Sequence, residues 1–194
     1  MPTSAAPLDR VRWPVRTERL SLRPATEGDV DVTWRYRNVE EVARYIGYAP
    51  ATLTEYREVF SHPDRLGKTL IVEAHGEVIG DLMLAVHNAW AQREVAEQAR
   101  DVQAELGWVL DPSYGGQGYA TEAVAELIRI CFEELGLRRV TASCFADNKA
   151  SWRLMERLGM RRETHTLRES LHRSGAWLDG MGYALLADEW RARA

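Results

Sequence analysis

Residues Asp111–Gly136 read DPSYGGQGYATEAVAELIRICFEELG and combine a glycine-rich loop with a strongly periodic segment. In the loop, Gly115, Gly116 and Gly118 surround Gln117. Apolar residues then recur at the spacing of an amphipathic helix, at Ala120, Ala123, Val124, Leu127, Ile128, Cys131 and Leu135. Gly136 stands where a helix C-cap glycine is expected. The stretch therefore predicts a loop that leads directly into a helix.

The residues before this loop predict a strand over Ala104–Leu110. In it Ala104, Leu106, Trp108 and Leu110 alternate with Glu105, Gly107 and Val109. Strand, glycine loop and helix in this order can bind a phosphate, because glycines let backbone N–H groups approach an anion and the helix N-terminus attracts it. A glycine-rich turn without a ligand is the alternative, and the local residues leave both open.

Two common phosphate-binding loops do not fit these residues. A Walker loop needs Gly-Lys-Ser/Thr, and the segment Asp111–Gly136 contains no lysine. A dinucleotide fingerprint needs a third glycine three residues after Gly118, where Thr121 stands instead. Neither class of nucleotide site is therefore predicted.

The segment GGQGYATEA, residues 115–123, resembles the acyl-CoA pyrophosphate loop of the GNAT superfamily of acetyl-CoA-dependent N-acetyltransferases. That loop has the pattern Arg/Gln-x-x-Gly-x-Gly/Ala. Gly118 and Ala120 match its last two defined positions, and Gly115 stands where Arg or Gln is usual. The departure affects a side-chain contact from that position and leaves the backbone cradle intact.

Two further segments agree with this resemblance. TERLSLRP, Thr17–Pro24, is similar to the opening strand of the RimJ/RimL-like branch, the ribosomal-protein N-terminal acetyltransferases. Asn148-Lys-Ala-Ser151 followed by Leu158-Gly159-Met160 resembles the Asn-x-x-Ser…Gly-Phe block of the superfamily. The three segments occur in the expected order, and the resemblance extends over Thr17–Trp190.

The resemblance implies that acetyl-CoA is the cosubstrate. Its pantetheine arm would bond main-chain groups of Trp108–Leu110, where the strands Ala104–Leu110 and Arg138–Phe145 splay apart. Its pyrophosphate would sit on Gly116–Ala120. The implied cofactor-binding residues are Trp108, Val109, Leu110, Gly115, Gly116, Gln117, Gly118, Tyr119, Ala120, Asn148 and Ser151. No metal is expected, since the five histidines lack metal-ligand spacing.

The implied reaction is direct attack of a neutral amine on the thioester carbonyl. It needs a path for the amine proton, donors for the oxyanion and an acid for the departing thiolate. Ser151 is the candidate partner of the thiolate, although a buried serine bonded one turn back is the alternative. Glu105 is the candidate base, acting through water, against the alternative of an exposed strand carboxylate. Tyr183 and Asp179 are second choices.

The remaining chain predicts an α/β fold with a mixed, mostly antiparallel sheet of about six to seven strands and helices on both faces. After the first strand, Thr26–Asp29 has the form of a capping box, and Thr54 is expected to cap a later short helix. The other predicted strands are Lys68–Ala74, Val78–Val86, Arg138–Phe145 and a long hairpin over Met160–Leu186 that turns at Arg173–Gly175. Val39–Tyr48 is expected to be helical, with a break at Gly47 and Pro50. The segment from Asn148 to Leu158 is also expected to be helical.

The segment His87–Val102 is longer than a hairpin link needs. A solvated surface insertion is the simpler interpretation. A substrate-lining or dimer-forming flap anchored by Trp90 is the other, and with it a possible homodimer.

Composition bounds the remaining classes. The 194 residues predict one domain, 1–194, with residues 1–15 as a loose N-terminal segment. A net charge of −4 is unfavourable for nucleic acid as a partner, and no apolar run approaches a membrane span. Cys131 and Cys144 are expected to be reduced core residues, which indicates a cytoplasmic protein.

Three functions therefore remain open. The first is an N-acetyltransferase that acts on a protein N-terminus or a small-molecule amine. The second is a non-catalytic acyl-CoA-binding module, and the third is a protein-interaction subunit. The sequence does not identify the amine acceptor.

Overall fold

The computed structural model of the chain describes residues 7–193. Eight strands lie in this part of the chain: β1 (Val15–Arg16), β2 (Leu20–Pro24), β3 (Thr69–Ala74), β4 (Glu77–His87), β5 (Gln103–Leu110), β6 (Arg139–Phe145), β7 (Arg161–Leu171) and β8 (Trp177–Leu186). They form one sheet in the order β1-β2-β3-β4-β5-β6-β8-β7. The β5–β6 register is parallel, whereas those of β1–β2, β2–β3, β3–β4, β6–β8 and β7–β8 are antiparallel.

The α/β class and the mostly antiparallel sheet are thus confirmed, with eight strands in place of six to seven. The additional strand is β1, which pairs with Ser21 and Leu22 of β2. A strand of two residues is too short to show an alternating pattern, so sequence periodicity could not reveal it.

The α-helices of the described chain are α1 (Val30–Arg37), α2 (Glu40–Ala43), α3 (Leu53–Phe60), α4 (Pro63–Leu66), α5 (Tyr119–Arg129), α6 (Lys149–Arg157) and α7 (Ala187–Arg191). Helix α5 continues as a π-helix over Ile130–Glu134, where Leu135 N donates to Ile130 O at 3.0 Å. No helix among residues 7–193 is both long enough and apolar enough to cross a membrane.

The chain packs as two units, and β4 and β5 each pass from one to the other. Within the described residues, the first unit comprises 7–84 and Trp108–Leu127, and the second comprises Ala85–Gly107 and 128–193. The assignment of 1–194 to a single domain stays a prediction.

Aromatic side chains build the core of the first unit. Tyr56 and Phe60 of α3 lie on one helical face with ring centroids 5.4 Å apart, and Tyr56 lies 5.2 Å from the ring of Trp34 in α1. Tyr56 and Phe60 belong to a buried cluster with Ala25, Val30 and Ile71, and the partly buried Trp34 packs against this cluster. The predicted capping box at Thr26 is present. The cap of α3, however, is Thr52 and not Thr54: the Thr52 hydroxyl accepts from Glu55 N, and its extended backbone suits a cap.

A buried ion pair joins α1 to β4 in this unit. The guanidinium of Arg37 contacts Asp81 through two hydrogen bonds, of which the Nε–Oδ2 bond is 2.9 Å long. Tyr36 also donates to Asp81, at 2.8 Å. Arg37 is only 9% exposed and Asp81 only 2%. Sequence analysis did not identify this pair.

The segment before β1 is more ordered than expected. Residues Pro7–Arg10 form a 3-10 helix, Leu8 and Val11 are buried, and the Trp13 indole donates to Leu8 O at 2.7 Å. Burial of two apolar side chains explains why residues 7–15 differ from the loose segment predicted there. Residues 1–6 lie outside the described part of the chain.

The second unit contains the long hairpin and the inserted segment. Strands β7 and β8 turn where predicted, with Gly175 at φ 84°. In the inserted segment, Arg93–Ala99 is a 3-10 helix and the Trp90 side chain is 90% exposed. The exposure of Trp90 is what the surface-insertion interpretation predicts, and a role as a flap stays a prediction.

Candidate active site

The glycine loop lies in the first unit, between β5 and α5. Its entry is a 3-10 turn over Pro112–Tyr114, in which Asp111 Oδ1 accepts from Ser113 N at 2.9 Å. Gly116 and Gly118 then have φ values of 75° and 82°. Helix α5 begins at Tyr119, as the sequence predicted within one residue.

Backbone conformation, and not crowding, explains the glycines at 116 and 118. A Cβ at Gly116 would meet nothing within 4 Å, and a Cβ at Gly118 would meet only Arg19 Nη2, at 3.4 Å. Positive φ values are strained for residues that carry a Cβ. Gly115 differs, because a Cβ there would lie 3.0 Å from Pro112 O. The local turn thus disfavours the larger side chain that the GNAT pattern has at this position.

The loop leaves backbone donors at the start of α5. The bond from Glu122 N to Gly118 O, 3.1 Å long, is the first of the helix. The N–H groups of Gly118, Tyr119 and Ala120 precede it and therefore have no acceptor within the helix. Residues Gly115–Gly118 are solvent-exposed. Exposed N–H groups at the positive end of a helix can hold a phosphate.

Close packing of backbones holds the end of β5 beside the loop. Asp111 N donates to Ile79 O of β4 at 2.9 Å. A Cβ at Gly80 would lie only 2.5 Å from Val109 O, so this position admits glycine alone. Trp108, Val109 and Leu110 are half-buried. These are the three residues expected to bond the pantetheine arm, and their role as ligands stays a prediction.

Arg19 and Glu122 form a brace at the loop that sequence analysis missed. Glu122 Oε1 accepts from Arg19 N at 2.9 Å and from Thr17 Oγ1 at 2.5 Å, while Oε2 accepts from Arg19 Nε at 2.7 Å. Arg19 Nη1 donates to Gln117 O at 2.8 Å. The Arg19 guanidinium also lies 4.7 Å above the Tyr119 ring.

The brace involves an ionised carboxylate. Partial burial alone would raise the pKa of Glu122, but hydrogen bonds from Thr17 and Arg19 and the charge of Arg19 outweigh it, so that the pKa is lowered. The periodicity of α5 placed Glu122 on the polar face, which pattern analysis interprets as solvent-facing. The presence of Arg19 in TERLSLRP was the one available signal.

In the second unit, Asn148 and Ser151 meet at the start of α6. Asn148 caps the helix as predicted, since its Oδ1 accepts from Ser151 N at 3.2 Å. Ser151 is half-buried, and its hydroxyl makes no hydrogen bond within residues 7–193. The alternative of a bond to a carbonyl one turn back is therefore not realised in the structure, and the hydroxyl is available to a ligand.

Glu105 lies in β5 at the end of a short parallel ladder. The β5–β6 register covers three residue pairs, and the last is Glu105 with Thr141. The expected separation of these two strands beyond this register stays a prediction. The Glu105 side chain is exposed. Its role as a base stays a prediction.

The two second-choice bases are occupied by protein contacts. Asp179 accepts from Arg168 N at 2.9 Å and from His165 Nε2 at 3.1 Å, and these bonds lower the pKa of Asp179. Tyr183 is buried and donates its hydroxyl to Glu156 at 3.0 Å. The structure thus favours neither as the proton acceptor.

Both cysteines carry protonated thiols. Burial raises the pKa of Cys144 to about 11 and that of Cys131 further. Since the thiolate is the nucleophilic form, neither residue is suited to form an acyl-cysteine intermediate at neutral pH. Among residues 7–193, no group of three or more His, Cys, Asp or Glu side chains is arranged to hold a metal ion.

Comparison with known proteins places this chain among acetyltransferases. The acetyltransferase (GNAT) domain family matches residues 19–161. The chain is 38% identical over 86 residues to the uncharacterized N-acetyltransferase YnaD of Bacillus subtilis (strain 168), in an alignment that spans 44% of this chain and 50% of YnaD. It is 29% identical over 185 residues to the uncharacterized N-acetyltransferase p20 of Bacillus licheniformis. This alignment spans 90% of this chain and 96% of p20.

Solved structures show the same fold. A GNAT-family acetyltransferase from Bacillus anthracis superimposes with a TM-score of 0.75 at 29% identity, covering 90% of this chain and 99% of that one. RimL, a ribosomal alpha-N-protein acetyltransferase solved in complex with coenzyme A, superimposes with a TM-score of 0.74 at 20% identity, covering 91% and 98%. At that identity, the likeness to RimL concerns the fold alone.

Proposed function

Because this chain belongs to the acetyltransferase (GNAT) domain family, we propose that it is an N-acetyltransferase that moves an acetyl group from acetyl-CoA to a primary amine. One observation carries the proposal: Gly116 and Gly118 have left-handed conformations directly before α5, whose first backbone N–H groups have no acceptor within the helix. This arrangement is suited to the pyrophosphate of acetyl-CoA.

Each unit by itself contains proposed cofactor-binding residues. Trp108, Val109 and Leu110 would bond the pantetheine arm through main-chain groups, as an added strand does. Gly115, Gly116, Gln117, Gly118, Tyr119 and Ala120 would surround the pyrophosphate, and Asn148 and Ser151 would complete the set. When bound, acetyl-CoA supplies the thioester whose carbonyl carbon the amine attacks.

The attack forms a bond from the amine nitrogen to the acetyl carbon and breaks the bond from that carbon to sulfur. The nitrogen must lose a proton, and the thiolate must gain one. We assign the second transfer to the Ser151 hydroxyl, which would regain its proton from solvent water. This hydroxyl is half-buried and has no hydrogen bond within residues 7–193. We assign the first to Glu105 through water, since its carboxylate is exposed at the end of the β5–β6 ladder.

The acceptor is proposed as a protein N-terminus or a small-molecule amine. The opening strand TERLSLRP supports the first class, because it resembles the RimJ/RimL-like branch. A cytoplasmic location belongs to the same proposal, and the two unpaired cysteines agree with a reducing compartment. The homodimer predicted from the inserted segment belongs to this proposal as well.

The deciding experiment combines calorimetry with an activity screen. The pure protein is titrated with acetyl-CoA, and amines and short peptides are then screened for release of free thiol. Binding together with thiol release supports the proposal. Binding without transfer to any amine would indicate an acyl-CoA-binding module, and an absence of binding would leave a protein-interaction subunit as the alternative.

A further inference from the structure

One peptide unit of the glycine loop is held from outside the loop. Arg19, which immediately precedes β2, donates from Nη1 to Gln117 O at 2.8 Å. We propose that Arg19 is a positioning residue that locks the Gln117–Gly118 peptide so that the Gly118 N–H faces the pyrophosphate of acetyl-CoA. The proposal rests on the function proposed above.

Peptide geometry connects the carbonyl that Arg19 holds to the donor on the other side. The peptide bond is planar, and in the trans form its C=O and N–H point in opposite directions. Since the Gln117 carbonyl points to the guanidinium, the N–H of Gly118 points away from it. By holding the Gln117 carbonyl oxygen, Arg19 therefore also fixes the direction of the Gly118 N–H, to which it makes no hydrogen bond.

The loop has reason to need such a lock. Gly116 and Gly118 lie on either side of Gln117, and both have positive φ values. Glycine populates several backbone regions readily, so the peptide between them resists rotation weakly. A loop that samples several orientations must lose that freedom when the ligand binds, and fixing it beforehand raises affinity.

Three contacts hold Arg19 itself in place, two at its guanidinium and one at its backbone. Glu122 Oε2 accepts from Nε at 2.7 Å and lies 2.7 Å from Nη2, so one carboxylate oxygen holds two nitrogens of the guanidinium in a charge-assisted contact. Glu122 Oε1 accepts from Arg19 N, so the backbone of Arg19 is fixed too. The Tyr119 ring covers one face of the guanidinium at 4.7 Å. Glu122 lies in the first turn of α5, so the brace ties Arg19 to the helix end that would meet the phosphate.

The test compares Arg19→Gln with a control variant, Arg16→Gln. Arg16 is an exposed arginine of β1 that pairs with Ser21 and lies outside the brace. Calorimetry gives the dissociation constants of CoA and of dephospho-CoA, which lacks the 3′-phosphate and retains the pyrophosphate. Steady-state kinetics give KM for acetyl-CoA and kcat.

We expect Arg19→Gln to weaken both ligands by about the same factor, roughly tenfold, which corresponds to about 1.4 kcal/mol. The KM for acetyl-CoA should rise by a similar factor, with kcat changed less than about twofold, because the pyrophosphate lies far from the bond that reacts. Arg16→Gln should behave as wild type. Arg19→Lys, which retains a donor and loses the fork, should fall between wild type and Arg19→Gln.

Three results would overturn the proposal. They are unchanged affinity in Arg19→Gln, a loss confined to CoA with dephospho-CoA spared, and a fall in kcat with KM unchanged. If Arg19→Gln fails to fold, the same measurements on Arg19→Lys and Thr17→Val decide the question, since both retain part of the brace. A wild-type protein that does not bind CoA would refute the proposed function and this inference together, whereas a normal Arg19→Gln beside a CoA-binding wild type refutes this inference alone.

Discussion

The phenolic hydroxyl of Tyr183 donates a hydrogen bond to Glu156 Oε1 at 3.0 Å, and Tyr183 is only 2% exposed. Burial, reinforced by the bond to Glu156, raises the pKa of Tyr183 to about 12. A phenol with this pKa retains its proton throughout the neutral range. Tyr183 is therefore poorly suited to accept a proton from an ammonium substrate.

The first prediction concerns this tyrosine. Tyr183→Phe removes the hydroxyl and keeps the ring, so the pH dependence of kcat between pH 6 and about 9 should match that of wild type. A pH–rate profile for both proteins checks it. Loss of an ionisation from the Tyr183→Phe profile would contradict the assignment and return Tyr183 to the list of bases.

The second prediction concerns Gly118. Gly118→Val should weaken acetyl-CoA binding by at least about tenfold, because a β-branched residue cannot adopt φ 82° without strain and the loop must rearrange. Gly175→Val is the matched control, since Gly175 has φ 84° in the β7–β8 turn. Calorimetry on both variants, after circular dichroism confirms folding, separates loop function from general strain. Equal affinities in the two variants would refute the loop assignment.

The third prediction concerns Ser151. If its hydroxyl protonates the departing thiolate, Ser151→Ala should lower kcat by roughly 10²-fold and leave acetyl-CoA affinity nearly unchanged. Ser174→Ala, in the hairpin turn, serves as the control for removal of a serine hydroxyl. A kcat in Ser151→Ala that equals that of the control would show that Ser151 is only a packed helix residue.

The fourth prediction concerns Glu105. Glu105→Gln keeps the size and removes the base, so kcat should fall at neutral pH while acetyl-CoA affinity stays nearly intact. Activity should partly recover at higher pH, where more of the amine substrate is already neutral. Glu169→Gln, at an exposed position of β7, is the control. If the pH–rate profile of Glu105→Gln coincides with that of wild type, the proton leaves by another route.

The fifth prediction concerns stability. Asp81→Asn should lower the free energy of unfolding by roughly 3–5 kcal/mol, because it leaves the Arg37 charge buried without its counterion. The double variant Arg37→Met, Asp81→Leu should recover part of that loss, since it removes both charges. Urea unfolding measures each value. If Asp81→Asn is as stable as wild type, the prediction is contradicted, and water must compensate the charge of Arg37.

Periodic segments were predictable from sequence, and contacts between distant polar residues were not. The alternation before Asp111 and the helical spacing after Gly118 identify β5 and α5, because burial of one face selects those periods. Arg19 and Glu122 lie 103 positions apart, and each has a charged side chain that pattern analysis assigns to solvent. Only the three-dimensional structure shows that the polar face of α5 closes onto the start of β2.

Local propensity also misjudged one helical segment. Val39–Tyr48 was expected to be helical, yet α2 covers only Glu40–Ala43. The break was predicted at Gly47 and Pro50, but the helix ends earlier, before residues that include the β-branched Ile46. The cap of α3 is Thr52 because the backbone is still extended at this residue, as an N-cap requires. The ends of helices depend on local backbone conformation, which the amino-acid sequence alone specifies only weakly.

The π-helical turn at Ile130–Glu134 has a consequence for comparing this chain with others. A π-turn contains one residue more than the α-turn it replaces, so it is equivalent to a single-residue insertion within a helix. The inserted residue is absorbed at buried Ile130, Cys131 and Phe132, and the exposed Glu133 follows them. When a relative has a regular α-helix at this place, the correct alignment requires a one-residue gap inside the helix, between 130 and 134. Without that gap, every residue from Leu135 onward would be matched to the wrong neighbour.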